Sequence, residues 1–150
     1  MKYFVTLAAI VFLFWGCGKD SFETRPTLKY KSANGTIIPK DGLLKLTLTL
    51  SDKEGDIQDS IYIEKVTKNC ALGNFKSWTS LPTDVPLTSM FSGDLIITYA
   101  NGSGIRGYEQ LSIAPKCSQN DTCYFRFMVK DKANNKSDTI QSEVIVLQYE

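Results

Sequence analysis

The chain has 150 residues, 43% hydrophobic and 11% aromatic, which is enough apolar side chain for one packed domain and excludes a disordered polypeptide. Its 17 Lys and Arg face 16 Asp and Glu with no cluster of one sign, so there is no electrostatic footprint for nucleic acid. It contains no histidine, which excludes Ser-His-Asp and Cys-His catalysis and most catalytic zinc sites, because each needs an imidazole.

The first residues read MKYFVTLAAIVFLFWGC. Lys2 gives a positive start, and residues 4–15 form an apolar run of about 12 residues. That length suits a secretory leader and falls short of the ~20 needed to span a bilayer. Small Gly16 precedes Cys17. The arrangement resembles a bacterial lipoprotein signal, with Phe14 and Trp15 where that pattern usually has Leu and a small residue. The resemblance implies cleavage after residue 16 and acylation of Cys17, with palmitate among the acyl chains. Two or more such chains would hold the protein firmly to a membrane. Removing residues 1–16 takes Lys2 and no acid, which leaves the charges balanced. Residues 17–26, the lipidated cysteine and GKDSFETRP, read as a tether, and residues 27–150 as the domain.

From Thr27 the pattern has period two. TLKYKS and GTIIP are weak strands, and Pro39 suits an edge. LLKLTLTL puts Leu44, Leu46, Leu48 and Leu50 on one face, as a half-buried strand requires. SIYIEKV follows after an acidic turn. Between residues 70 and 93 alternation is sparse, and a concealed edge strand is expected near residues 75–79. DLIITYA and CYFRFMVKD are further strands, with Cys123, Phe125, Phe127 and Val129 sharing a face in the latter. SEVIVLQY is apolar on both sides and reads as well covered. One sheet cannot bury both the leucine face and the phenylalanine face, so the expected fold is an all-β, immunoglobulin-like sandwich of about seven strands. The inter-sheet disulfide of antibody domains is missing, because the leucine strand has no cysteine to meet Cys123.

Three sets of side chains are candidate sites. SDKEGDIQDS crowds Asp52, Glu54, Asp56 and Asp59 into one turn, and KDKANNKSD adds Asp131, Asn134 and Asp138 at another. If the two turns converge, their oxygens suit calcium, which takes six to eight hard ligands. The same residues are also ordinary turn formers, and that reading is preferred. Cys70, Cys117 and Cys123 allow three pairings, and the polar stretch SQNDT between Cys117 and Cys123 favours closing that small loop. Trp78, the one tryptophan beyond the leader, lies in a region with Phe75, Tyr99 and Tyr108. Together they offer an aromatic platform for a sugar ring, or simply core packing.

Lipid cysteine, tether, and strands ending in LSDKEGDIQDS and FMVKDKANNKSDTI resemble the single-domain immunoglobulin-like lipoproteins of Bacteroidota. The DSI and DTI triplets at residues 59–61 and 138–140 resemble the O-glycosylation motif of secreted proteins of that phylum, with hydroxyls expected to be covered at strand starts. The resemblance implies an envelope protein, anchored by its lipid in the outer membrane, and no settled activity. The reading that follows is a non-enzymatic binding or structural module for a protein partner, without a required cofactor. The alternative is a carbohydrate-binding accessory built on Trp78.

Overall fold

The computed structural model describes residues 25–83, 85 and 88–150. Cys17, the leader and most of the tether therefore lie outside the described residues. Among the described residues nine strands follow in chain order: β1 Thr27–Ala33, β2 Ile37–Ile38, β3 Leu43–Asp52, β4 Ser60–Thr67, β5 Phe75–Ser80, β6 Phe91–Ala100, β7 Asp121–Lys130, β8 Ile140–Gln141 and β9 Ile145–Leu147. No α-helix occurs among the described residues, and two short 3-10 turns sit at Ala71–Gly73 and Glu109–Leu111.

The strands form two open sheets. One has the order β1-β3-β6, the other β2-β9-β7-β4-β5, with β8 added alongside β7. All ladders are antiparallel except β2–β9, which is parallel. Two such sheets facing each other make a β-sandwich, the fold the alternation predicts. The strand count exceeds the expected seven through β5, foreseen only as a concealed edge strand, and the two-residue strand β8. The edge strand foreseen near residues 75–79 is β5, and β2 takes the edge position that Pro39 suits. The run around β9 lies between β2 and β7, with Ile145 and Leu147 buried and Val144 exposed.

Period-two alternation becomes the core directly. Leu44, Leu46, Leu48 and Leu50 of β3 and Cys123, Phe125, Phe127 and Val129 of β7 are all essentially inaccessible. Each fully buried large apolar side chain contributes about 1.5–3 kcal/mol relative to exposure. Aromatic rings close the gap between the sheets. Tyr99 of β6 stacks on Phe125 with centroids 5.7 Å apart, and Phe75 of β5 meets both rings edge-on.

One end is held by Asn101, whose buried side-chain amide donates to the carbonyls of Ile38, Pro39 and Gln148. Those bonds tie the end of β6 to the segments after β2 and β9. The opposite end is shaped by the turns that follow β3 and β7.

Candidate binding face

The acidic turns do meet, through a hydrogen bond from Lys132 N to the Asp56 carbonyl at 3.1 Å. Most of their carboxylates are held by neighbouring protein groups, although Asp52 Oδ1 and Asp56 Oδ1 are buried without a hydrogen-bond partner. Asp52 Oδ2 accepts from Gly55 N and Asp56 N at 2.7 and 3.1 Å. Asp131 accepts from the backbone and side-chain nitrogens of Asn135 at 2.7 and 2.9 Å. Asp59 pairs with Lys130 at 2.8 Å, and Asp138 with Arg25 at 3.1 Å. Glu54 is exposed. Among the described residues no three His, Cys, Asp or Glu side chains are placed to hold a metal ion. The calcium set of Asp52, Glu54, Asp56, Asp59, Asp131 and Asp138 is therefore not assembled. Turn formation explains these residues, with Gly55 at φ 82° and Asn134 at φ 68° supplying the left-handed positions.

The cysteine pairing differs from the expected one. Cys70 is bonded to Cys117, with Cα atoms 5.8 Å apart, and Cys123 is a buried free thiol. The reason lies in the strand alternation. Cys123 shares the inward face of β7 with Phe125, so its sulfur points into the core and away from Cys117. The segment just past β4 runs beside the approach to β7. Asn69 donates to the Asn120 carbonyl and Gln119 to the Asn69 carbonyl, which brings Cys70 against Cys117. Burial pushes the Cys123 thiol up to about 12.

The platform of Trp78, Tyr99 and Tyr108 does not form either. Tyr99 faces the core, 8% exposed, and burial pushes its phenol up to about 12. Tyr108 sits at the start of the 3-10 turn Glu109–Leu111. Trp78 points the other way, outward from the larger sheet, and remains 45% exposed. Its neighbour is Tyr62, directly opposite in the β4–β5 register, with ring centroids 5.4 Å apart. Sequence reasoning missed Tyr62. Its signal was the alternation of SIYIEKV, which puts Tyr62 opposite in phase to Ile61 and Ile63.

The outward face of the larger sheet can be read row by row from the registers. Trp78, Tyr62 and Met128 lie across it in one row, and Lys76, Glu64 and Arg126 in another. Lys130 and Lys136 place their ammonium groups 5.8 and 6.0 Å from the Trp78 ring centroid, within cation–π range. Arg126 lies over the Tyr124 ring and 3.6 Å from Glu64. Four cations, Lys76, Arg126, Lys130 and Lys136, thus surround the aromatic row against two acids, Glu64 and Asp59. At the margin of this face, β5 pairs with β4 alone, and every residue from Lys76 to Ser80 is exposed. Even the inward-facing Ser77 and Thr79 are uncovered, so β5 overhangs the smaller sheet. An uncovered strand edge presents unpaired backbone donors and acceptors.

Of the two O-glycosylation-like triplets, Ser60 is half-buried and hydrogen-bonded to Asp59, whereas Thr139 is exposed, contrary to the expected cover.

One further group was not foreseen. Lys65, on the inward side of β4, reaches Asp121 Oδ2 at 2.7 Å and the Ile113 carbonyl at 3.1 Å. The lysine and aspartate side chains are 1% and 0% exposed.

No protein-family model and no curated protein matches the chain. Among solved structures the chain is similar to the crystal structure of Spo0M, a sporulation control protein from Bacillus subtilis, at 8% identity and a TM-score of 0.40. That match covers 79% of this chain and 48% of the other, so the chain spans about half that protein's length. No helix among the described residues is long and apolar enough to cross a membrane.

Proposed function

We propose that this protein is a lipid-anchored envelope lipoprotein whose sandwich is a non-enzymatic binding module for a protein partner. The resemblance of its leader and strands to Bacteroidota immunoglobulin-like lipoproteins supports the anchor at Cys17 and the outer-membrane address. One observation carries the binding reading. Trp78, exposed beside an open strand edge, is flanked by more cations than acids. A half-exposed tryptophan with charged neighbours has the composition of an interface anchor, and β5 offers backbone groups to an added strand. An extended, acidic segment of a partner fits both features.

The full-length lipoprotein, retrieved from native membranes in mild detergent, should retain a partner that salt releases. Lys76→Glu combined with Lys136→Glu should abolish retention while the domain stays folded. Undiminished retention by that variant would remove this face from the account.

The carbohydrate reading keeps one supporting observation, the exposed indole, but its platform is Trp78 with Tyr62. Oligosaccharides should then perturb Trp78 fluorescence; unchanged emission would end that reading.

A further inference from the structure

The buried Lys65–Asp121 pair is unlike the other ion pairs of the molecule. Among the described residues the four remaining pairs are at least partly exposed and lie on the surface. This one sits inside the sandwich, where two charges lose their hydration and a well-packed apolar pair would usually do as well or better. Its surroundings are specific. Lys65 Nζ donates to Asp121 Oδ2 and to the Ile113 carbonyl, so two of its hydrogens are directed. Asp121 Oδ1 is buried and accepts no hydrogen bond. The roof over the pair is the 3-10 turn Ala71–Gly73. A methyl group on Gly73 would come within 2.9 Å of Asp121 Oδ2 and 3.3 Å of Lys65 Nζ. That turn is held by Gly73 N donating to the Cys70 carbonyl, and Cys70 is fixed by its disulfide to Cys117.

We propose that Lys65 and Asp121 form an intramolecular isopeptide bond that joins β4 to β7. The chemistry is self-contained. The ammonium passes one proton to the carboxylate, giving a neutral amine and a neutral acid, the forms an apolar interior accepts. The Nζ lone pair attacks Cγ and a nitrogen–carbon bond forms. The Cγ–Oδ bond then breaks, and that oxygen leaves as water with the transferred proton and a second proton from nitrogen. One hydrogen stays on the new amide. Nothing is oxidised or reduced, and no co-reactant is consumed. Holding the two groups in contact supplies the orientation, since intramolecular placement replaces a bimolecular encounter. The Ile113 carbonyl aims the amine, and Oδ2, which receives the proton along its hydrogen bond from Nζ, is the oxygen that leaves as water. Exclusion of water favours the condensed product. The neighbouring Cys123 is a thiol rather than a thiolate, so it does not compete for Cγ.

The test is peptide mapping of the full-length wild-type protein after reduction, alkylation and trypsin digestion. The expected result is a branched peptide carrying both Lys65 and Asp121, lighter by one water than its two linear parts, with no cleavage after Lys65. Separate linear peptides with cleavage after Lys65 would overturn the proposal. In Lys65→Arg, whose side chain cannot make this amide, the branch and the mass deficit should both vanish. A deficit that persisted there would place the lost water elsewhere and also overturn the proposal.

Discussion

The ring of Trp78 lies against the ring of Tyr62, centroids 5.4 Å apart, because the β4–β5 hairpin sets these two residues opposite each other on the outer face of the sheet. That contact leaves nearly half of the indole to solvent. Replacing Trp78 with Ala should therefore cost little stability, about 0.5–1.5 kcal/mol for the lost ring pair. It should cost most of the binding. A urea titration measures the first and co-purification the second. A loss of several kcal/mol would instead mean that the ring belongs to the core.

The Lys65–Asp121 pair should behave in the opposite sense. Asp121→Ala leaves a buried ammonium without its counter-charge, which typically costs about 3–5 kcal/mol. The double variant Lys65→Met, Asp121→Leu leaves no buried charge, so it should recover the part of that loss due to the stranded ammonium, but not the part due to losing the proposed cross-link. Denaturant midpoints of the three proteins decide it. Equal losses for the single and double variants would show that a stranded charge contributes nothing measurable and that the missing cross-link or packing accounts for the loss.

How these features were encoded differs from one to the next. The leucines of β3 and the inward residues of β7 were legible, because a half-buried strand writes its burial into the sequence with period two. The short strand β5 was legible from the improbability of a long bare loop. The cysteine pairing was not, because it depends on where the segment past β4 passes the approach to β7, a relationship of residues 47 apart. Lys65 was partly legible. It shares phase with Ile61 and Ile63, which points it inward, but its partner lies 56 residues away. Tyr99 faces the core because it shares phase with Leu95 and Ile97 on β6, so it cannot join an outward-facing platform with Trp78.

The disulfide makes a stability prediction. Cys70→Ser with Cys117→Ser should lower stability by about 2–4 kcal/mol, chiefly by freeing the unfolded chain. Peptide mapping without reduction should show Cys70 joined to Cys117, and the Cys123 thiol should react only after denaturation. A peptide joining Cys117 to Cys123 would contradict the pairing.

Acid should weaken the fold through two surface carboxyls. The Lys130 hydrogen bond, with help from Ser60, holds Asp59 below its ordinary 3.8, and the Lys31 hydrogen bond, with help from Thr49, does the same for Asp94. A carboxyl depressed in the folded state contributes stability that is fully present above its unfolded value. That contribution is lost as pH falls through the folded value. Stability should thus be insensitive to these groups at neutral pH and decline below about pH 4. In Asp59→Asn with Asp94→Asn the acid-side decline should be shallower. An unchanged profile of urea midpoint against pH would show that both pairs are solvated out of significance.

The central claim is that the outer face around Trp78 receives a partner. A photo-reactive phenylalanine derivative at position 78 of the full-length protein, irradiated in intact cells, tests it most directly. The same residue at Lys29, on β1 of the other sheet, serves as the comparison. The account predicts a discrete protein adduct from position 78 and none from position 29. Adducts from position 29 alone, or equally from both, would contradict it.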